Sequence, residues 1–146
     1  MNVIRRPATV EDTEFARRVH HAAYRDVVER QFGPWDEAVQ NWFFDSDWRD
    51  AQHEIVLVDG TPCGYVSIEE RAADIHVREL VVAPAFQGRG IGTTILQDLI
   101  ERARVRGVPI RLGTHRVNRA NHLYRRLGFR ETGQTDTHIL LEWAAS

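Results

Sequence analysis

The sequence predicts one α/β domain built around a mixed sheet, and three observations indicate this fold class. The chain has 146 residues, 42% of them hydrophobic and 27% charged, which suits an ordinary globular protein with one sizeable core. Strand-like apolar runs alternate along the chain with segments whose apolar residues recur at helical spacing. No linker, internal repeat or low-complexity segment interrupts them, so we expect a single domain over residues 1–146.

The N-terminal third predicts a strand followed by two helices. The segment NVIRR is a short opening strand, and Thr9 is a suitable N-cap for the first helix. Apolar residues four apart lie on one face of that helix: Phe15, Val19, Ala23 and Val27. The segment GPWDEAVQNWFF predicts a second helix, with Pro34 suited to its first turn.

The middle of the chain predicts a three-stranded meander. HEIVLVDG is a strand, DGTP a turn, and CGYVSIEER the hairpin partner of that strand. ADIHVRELVV follows as the third strand and ends at the dipeptide Ala83-Pro84. These segments are rich in β-branched residues, which favour a pleated, half-buried surface.

The remaining segments predict helix, strand, helix and a terminal hairpin. Apolar residues recur at helical spacing in the first of these helices: Ile91, Ile95, Leu96, Leu99 and Ile100. That helix ends near Gly107, and VPIRLGT is the next strand. NRANHLYRRLGF is a helix stopped by Gly128, and RETGQTDTHILLEW is a terminal hairpin. The predicted order is therefore βααβββαβαββ.

The composition excludes several classes of protein. All nineteen basic residues are arginine, so a Walker-A loop, a kinase-type lysine and Schiff-base chemistry are excluded. The net charge of −2 lacks the basic excess of a nucleic-acid-binding protein. One cysteine, Cys63, excludes a disulfide framework and a cysteine-based zinc cluster. The apolar runs are too short to span a membrane and the start MNVIRRPATVED has no signal-peptide core, so we expect a cytoplasmic protein.

The most informative stretch is VVAPAFQGRGIGTTILQDLI, residues 81–100, with glycines at 88, 90 and 92. A helix N-terminus carries unpaired N–H groups and a partial positive charge, and missing side chains let a phosphate group approach them closely. QGRGIG therefore predicts a phosphate-binding turn, to which Arg89 adds a positive charge. A tight turn without a ligand is the alternative, but one glycine would suffice for that.

The residue pattern also excludes some classes of phosphate-containing ligand. The dinucleotide fingerprint G-x-G-x-x-G fails because its third glycine would fall at Thr93. A nucleoside triphosphate loop fails because it requires a lysine. A pyrophosphate that needs neither a catalytic metal nor a lysine remains, and coenzyme A carries one.

Two motifs make a family resemblance specific. Residues 87–92, QGRGIG, match the Q/R-x-x-G-x-G/A motif of the GNAT superfamily of N-acetyltransferases, in its usual place after L-x-V-x-P, here residues 80–84. Residues 118–129, NRANHLYRRLGF, resemble the second signature of that family, N-x-x-A-x-x-x-Y-x-x-x-G-F. The resemblance covers nearly the whole chain. It implies the GNAT fold, a mixed and mostly antiparallel sheet of about seven strands flanked by four helices.

The resemblance also implies where acetyl-CoA lies, in an opening between the parallel strands HVRELVV and PIRLGT. Backbone groups at the end of the first strand would pair with the pantetheine arm, the glycine turn would hold the pyrophosphate, and the family's asparagine would contact the cofactor arm. The residues implied are Leu80, Val81, Val82, Gln87, Gly88, Arg89, Gly90, Ile91, Gly92, Thr93 and Asn118.

Transfer to an amine requires two proton movements, and the resemblance offers one residue for each. Tyr124 matches the tyrosine that faces the CoA sulfur as general acid, although a buried core tyrosine is the alternative. Glu79 matches a glutamate that deprotonates the amine in several relatives, and an ion pair with an arginine is the equally weighted alternative. No metal is expected, because the histidines lack metal-ligand spacing.

The acceptor site is not legible in the sequence. RQFGPWDEAVQNWFF lies where this family builds that site, and its aromatic residues suit either a pocket wall or the core, for which Trp42 and Phe43 are well placed. His20 and His21 lie in a helix that often lines the acceptor pocket, although hydrogen-bonded structural histidines are favoured throughout.

The leading interpretation is an acetyl-CoA-dependent N-acetyltransferase that acts on a primary amine of a small metabolite, peptide or protein, by direct attack in a ternary complex. A GNAT-fold module that binds acyl-CoA without turnover is the alternative. A nucleotide-binding oxidoreductase is excluded because the dinucleotide fingerprint is not matched. We leave open the identity of the amine, other acyl groups, and a homodimer through THILLEW.

Overall fold

The computed structural model describes residues 1–145 and confirms the predicted order of the elements. The strands are β1 (Val3–Pro7), β2 (Glu54–Val58), β3 (Thr61–Glu70), β4 (Ile75–Val82), β5 (Ile110–His115), β6 (Arg130–Gln134) and β7 (His138–Trp143). The helices are α1 (Thr13–Gln31), α2 (Glu37–Asp50), α3 (Ile91–Arg106) and α4 (Ala120–Arg126). None of these four helices has both the length and the apolar composition needed to cross a membrane.

The seven strands form one mixed sheet in the order β1-β2-β3-β4-β5-β7-β6. The pairs β1–β2, β2–β3, β5–β7 and β6–β7 are antiparallel. Strand β4 pairs in parallel with β5, through Ile75–Val77 and Ile110–Leu112. The predicted sheet of seven mostly antiparallel strands with four helices is therefore confirmed.

The chain forms two compact units, each described here by itself. The first comprises residues 1–67 and 79–92, and the second comprises residues 68–78 and those from 93 onward. Strands β3 and β4 contribute residues to both units, and one domain over the whole chain stays a prediction.

The core of the first unit forms between α1, α2 and the strands β2, β3 and β4. Its buried members are Ala16, Val19, Phe44, Ile55, Tyr65 and Val81. The predicted apolar stripe of α1 supplies this core, since Phe15 and Ala23 also pack against it. Burial of a large apolar side chain stabilises by about 1.5–3 kcal/mol, so this cluster holds both helices against the sheet.

The first helix begins later than the sequence indicated. Thr9 caps a short 3-10 turn, Val10–Asp12, and the regular α-helix starts at Thr13. The Asp12 carboxylate accepts a hydrogen bond from the Thr9 backbone N–H at 2.8 Å and two from the Arg6 guanidinium at 2.8 and 2.9 Å. These bonds, above all those from Arg6, lower the pKa of Asp12 to about 2. The N-terminal cap is thus a charged capping box.

The second helix corrects two predictions. It begins at Glu37, so Pro34 precedes it, and the Asp36 carboxylate caps it by accepting from the Val39 N–H at 3.1 Å. Trp42 and Phe43 are not core residues, because their exposed fractions are 64% and 53%. Phe44 is the buried aromatic residue of α2, and successive residues of a helix point about 100° apart, so a helix that buries position 44 turns position 42 outward.

The second unit packs α3 and α4 with the C-terminal strands. Fully or nearly fully buried side chains form its interior: Ile75, Leu96, Leu99, Ile110, Leu112, Phe129, Leu141 and Trp143. Helix α3 ends at Arg106 as predicted, and Gly107 follows at a φ of 67°, a left-handed conformation that glycine adopts without strain.

Candidate functional site

The glycine turn joins β4 to α3 and is exposed. Gly88 and Gly90 have φ angles of 77° and 84°, which L side chains rarely adopt, so the turn itself requires glycine at two positions. The backbone conformation of the turn therefore explains two of the glycines without any ligand. The inference that one glycine would suffice for such a turn is wrong. Gly92 lies inside the first turn of α3, where no backbone requirement of this kind applies.

The surroundings of the turn leave room for a ligand. A Cβ atom added to Gly88 would meet nothing within 4 Å, and one added to Gly90 would meet only the methyl group of Met1, at 3.9 Å. The first turn of α3 carries no acidic residue that would compete for its partial positive charge. Arg89 lies with its guanidinium over the Phe86 ring, 5.1 Å from the centroid. The turn can therefore accept an anion at a helix N-terminus.

The end of β4 is held tightly by its neighbours. The Gln87 side-chain amide donates to the Val82 carbonyl at 2.9 Å, and the Ala83 N–H donates to the Cys63 carbonyl at 2.8 Å. Gly64 of β3 lies so close to β4 that an added Cβ would be 2.1 Å from the Val81 carbonyl oxygen. Gln87 thus ties the turn to the strand, a structural role that the motif alone did not reveal.

The predicted site residues of the second unit occupy separate settings. Thr93 lies in the first turn of α3, and the Asn118 side-chain oxygen accepts a hydrogen bond from the Ala120 N–H at 2.9 Å, next to the start of α4. Tyr124 is 6% exposed and its ring lies 5.8 Å from that of Phe129. Burial raises the pKa of the Tyr124 hydroxyl to about 12, so this phenol holds its proton at every physiological pH.

Glu79 lies at the centre of a buried polar cluster in the first unit. Its side chain is 15% exposed and shares the face of β4 that carries buried Val81. Its Oε2 atom accepts hydrogen bonds from the hydroxyl groups of Tyr65 at 3.3 Å and Tyr24 at 3.4 Å. Its Oε1 atom lies 3.8 Å from Nε2 of His53. Four elements or loops far apart in sequence therefore meet at this carboxylate.

The environment of Glu79 changes its acidity. Burial raises the pKa of this carboxyl group to about 7, the neighbouring carboxylate of Asp47 also raises it, and His53 lowers it. Burial and the charge of Glu79 together raise the pKa of Tyr65 well above its usual range, so that hydroxyl remains a donor. A carboxyl group with a pKa near 7 can exchange a proton at neutral pH, which suits a general base.

Aromatic rings surround this cluster. His53 stacks on Trp48 with ring centroids 4.3 Å apart, and Trp48 packs edge-on against Tyr65 at 5.6 Å. Phe44 also stacks on Trp48, with ring centroids 5.4 Å apart. Such rings lower the local polarity and favour a cation placed against their faces. The aromatic residues of α2 in this cluster are thus Phe44 and Trp48, whereas Trp42 and Phe43, for which the sequence left a pocket wall or the core open, are exposed.

Asp47, His53 and Glu79 are also the residues that could hold a metal ion. Each offers one ligand atom, and these atoms lie within 4.8 Å of one another. Groups that share a proton also lie this close together. The spacing alone therefore does not distinguish a metal site from a proton-sharing cluster. Sequence reasoning missed Asp47 and His53, because their contacts with Glu79 depend on residues more than twenty positions apart.

Three of the other histidines have ordinary partners. Nδ1 of His20 and Nδ1 of His21 are 2.9 Å apart, and Nε2 of His21 lies 2.7 Å from the Asn41 side-chain oxygen. His76 lies 3.4 Å from a Glu69 carboxylate oxygen. Cys63 is buried, and burial raises the pKa of its thiol, which argues against a nucleophile.

Comparison with known proteins gives a consistent result. The model of the Acetyltransferase (GNAT) family matches residues 16–129. An uncharacterized N-acetyltransferase of Methanocaldococcus jannaschii is 32% identical over 142 residues, covering 86% of this chain and 60% of that protein. The L-methionine sulfoximine/L-methionine sulfone acetyltransferase of Pseudomonas aeruginosa is 31% identical over 127 residues, covering 77% of this chain and 74% of that protein. The chain therefore spans less than two thirds of the archaeal relative's length.

A solved structure shares the fold. The structure of the PaiA N-acetyltransferase from Thermoplasma acidophilum in complex with coenzyme A matches with a TM-score of 0.79. The match covers 99% of this chain and 100% of that chain at 17% sequence identity. At this identity the likeness establishes the fold, which is the one that the two sequence motifs predicted.

Proposed function

Because the chain belongs to the GNAT acetyltransferase family, we propose that it transfers an acetyl group from acetyl-CoA to a primary amine, by direct attack in a ternary complex. The observation that carries this proposal is the Glu79 carboxyl group, whose pKa burial raises to about 7 beside an aromatic wall. At that pKa the carboxylate can take a proton from an ammonium group at neutral pH and still release it to solvent.

Acetyl-CoA is the proposed acyl donor. The exposed glycine turn and the acid-free first turn of α3 suit its pyrophosphate, and the related Thermoplasma structure was obtained with coenzyme A. In the first unit we assign the donor to Leu80, Val81 and Val82 and to residues 87–92. In the second unit we assign it to Thr93 and Asn118.

The proposed chemistry moves two protons. Glu79 takes one from the acceptor's ammonium group, and the neutral nitrogen then attacks the acetyl carbonyl carbon as the carbon–sulfur bond breaks. Tyr124, assigned from its place in the second motif, gives its proton to the departing thiolate and recovers one from solvent. A phenol with a pKa of about 12 is a weak acid that is protonated at neutral pH, so the proton is in place when the thiolate departs.

The proposed acceptor is a primary amine of a small molecule or peptide. The Pseudomonas relative is a methionine sulfoximine and methionine sulfone acetyltransferase, which supports a small-molecule amine. The carboxylates of Asp47 and Glu79 and the rings of Trp48 and Tyr65 suit an acceptor that arrives as an ammonium cation.

Thermal unfolding with acetyl-CoA, ATP and NADH tests the donor assignment. Acetyl-CoA at 100 times its dissociation constant stabilises by about 2.7 kcal/mol, so the midpoint should rise by roughly 5–10 °C. ATP and NADH also carry phosphates and serve as matched controls, for which we expect a much smaller rise. An equal rise with all three would reduce the turn to a nonspecific anion site.

Release of the CoA thiol with a panel of primary amines then tests turnover. Amine-dependent release supports the enzyme, whereas selective binding of acetyl-CoA with no release from any amine supports the acyl-CoA-binding module instead.

A further inference from the structure

His53 is a buried titratable residue that the proposed reaction has not used. It lies in the loop between α2 and β2, and its backbone is fixed because the Ala8 N–H donates to the His53 carbonyl at 2.9 Å. The preceding Gln52 carbonyl accepts from the Ser67 hydroxyl at 2.8 Å. Stacking on Trp48 fixes the plane of the ring. The imidazole therefore has one orientation, set by Ala8 just after β1, by Ser67 of β3 and by Trp48 of α2.

A single hydrogen bond sets the tautomer of this ring. Nδ1 of His53 lies 3.1 Å from the Ala51 carbonyl oxygen, which can only accept, so Nδ1 carries the hydrogen. In the neutral ring Nε2 then bears a lone pair. The side chain is 2% exposed, and Nε2 has no hydrogen-bond partner among residues 1–145. A buried acceptor without a partner is costly, so a hydrogen-bond donor brought to this nitrogen would be favoured.

Glu79 is the group that can supply that proton. Its Oε1 atom lies 3.8 Å from Nε2, about 1 Å beyond hydrogen-bond length. The two tyrosine hydroxyls donate to Oε2 at 3.3 and 3.4 Å, and a side-chain hydrogen bond with Asp47 also acts on this carboxyl group. A shift of about 1 Å in Oε1 would bring it into hydrogen-bond contact with Nε2 of His53.

We propose that His53 is a positioning residue for Glu79 that takes over the proton Glu79 removes from the acceptor amine. This inference rests on the proposed function. Glu79 accepts the proton from the ammonium group and becomes a neutral acid. It then donates that proton to Nε2 of His53, which becomes an imidazolium, and Glu79 returns to the carboxylate. The proton finally leaves to solvent, so each turnover restores both groups.

The other groups that face this pair support the transfer. Asp47 of α2 places a carboxylate oxygen within 4.8 Å of a Glu79 carboxylate oxygen and of a His53 ring nitrogen, so its negative charge would stabilise the imidazolium. Tyr24 of α1 and Tyr65 of β3 donate to Glu79 and stabilise its carboxylate form. His20 of α1 packs against Tyr24, with ring centroids 4.8 Å apart, and is a further titratable group on that side.

Two substitutions of His53 separate proton transfer from packing. In His53→Asn the amide nitrogen can reproduce the Nδ1 hydrogen bond to Ala51, and in His53→Gln the side chain can reach the Nε2 position; neither accepts a proton. We expect both variants to keep their affinity for acetyl-CoA and to lose about 10- to 100-fold in kcat, less than the loss of a direct base.

The pH profile of kcat/KM gives the readout that packing alone would not move. His53 lowers the pKa of Glu79 and Asp47 raises it, so both His53 variants should shift the acid limb to higher pH and Asp47→Asn should shift it to lower pH, each by about one unit. An exposed histidine without a role in the site, His122, supplies the control substitution His122→Asn, for which the limb should stay in place.

The possible outcomes are distinct. Wild-type turnover with unshifted limbs in both His53 variants would overturn this inference and leave the proposed function intact. No amine-dependent turnover in the wild type would overturn both, since the transferred proton would have no source. Nitrogen-15 NMR showing Nε2–H with bare Nδ1 in the neutral ring would overturn the inference alone. Stoichiometric Zn²⁺ binding that His53→Asn abolishes would make the cluster a metal site and overturn it too.

Discussion

The surroundings of Glu79 and Tyr124 show one physical cause with two opposite chemical results. Burial raises the pKa of both groups, from 4.5 to about 7 for the carboxyl group and from 10.0 to about 12 for the phenol. For Glu79 the shift brings the proton equilibrium to neutral pH, where the group can act as a base. For Tyr124 the shift moves the proton equilibrium further from neutral pH, so the hydroxyl stays protonated. Desolvation therefore brings one group to its proton equilibrium near neutral pH and keeps the other fully protonated.

The two regions also differ in how many groups set the result. Glu79 responds to charges on Asp47 and His53 as well as to burial, whereas burial is the cause that raises the pKa of Tyr124. The first setting is therefore adjustable by single substitutions of its neighbours, and the second depends on the packing of α4. This contrast gives four predictions, from the largest expected effect to the smallest.

Glu79→Gln should have the largest effect. The amide keeps the shape of the side chain but cannot accept a proton, so kcat should fall by about 10²–10⁴-fold, with acetyl-CoA binding retained. Thiol release measures the rate, and Glu101→Gln on the exposed surface of α3 is the matched control. Wild-type activity in Glu79→Gln at pH 7 would show that the amine needs no base.

The pH dependence of stability should differ between the two regions. The folded state binds the Glu79 proton up to a pKa of about 7, whereas the unfolded state releases it near 4.5. Its stabilising contribution is therefore fully present below pH 4.5 and is lost as the pH rises through 7, by about 3 kcal/mol in total. His115, whose pKa is lowered from 6.5 to about 4, contributes an opposite slope in every variant. Urea unfolding from pH 4.5 to 8 should therefore show the Glu79 contribution as the difference between the wild type, or Tyr124→Phe, and Glu79→Gln.

The approach of β3 to β4 should be sensitive to one methyl group. In Gly64→Ala the new Cβ would lie 2.1 Å from the backbone oxygen of Val81, on the strand that carries Glu79, so one strand must move. We expect a loss of about 1–3 kcal/mol, measured by thermal unfolding. Gly113→Ala is the control, because its Cβ would meet Leu140 at an ordinary 3.5 Å. Equal losses in the two variants would contradict a specific clash.

Tyr124→Phe should have the smallest effect on rate. A thiol has a pKa near 8.5, so its thiolate leaves readily and gains less from a proton than the amine gains from a base. We therefore expect roughly a tenfold fall in kcat with little change in the acid limb of the pH profile. A fall as large as that of Glu79→Gln would reverse the comparison and make departure of the thiolate the difficult step.

Prediction from the sequence succeeded where the cause is local and failed where it is not. The apolar spacing of α3 and the glycine after Arg106 fixed that helix closely, because a helix depends on residues three or four apart. The face of α2 was predicted wrongly at Trp42 and Phe43, since aromatic content alone does not say which side meets the sheet. The glycine turn was located correctly. Two of its glycines, however, are required by positive φ angles, which the sequence does not show.

By itself the sequence determined the order of the elements, the glycine turn before α3, and the two motifs that place the chain among GNAT acetyltransferases. These features depend on short-range periodicity and on fixed residue spacings, which can be recognised in the sequence alone. Only the tertiary structure decided the environment of Glu79. Its contacts with Tyr65 and Tyr24 join residues 14 and 55 positions apart. Burial from these distant elements shifts the proton equilibrium, and no local pattern records it.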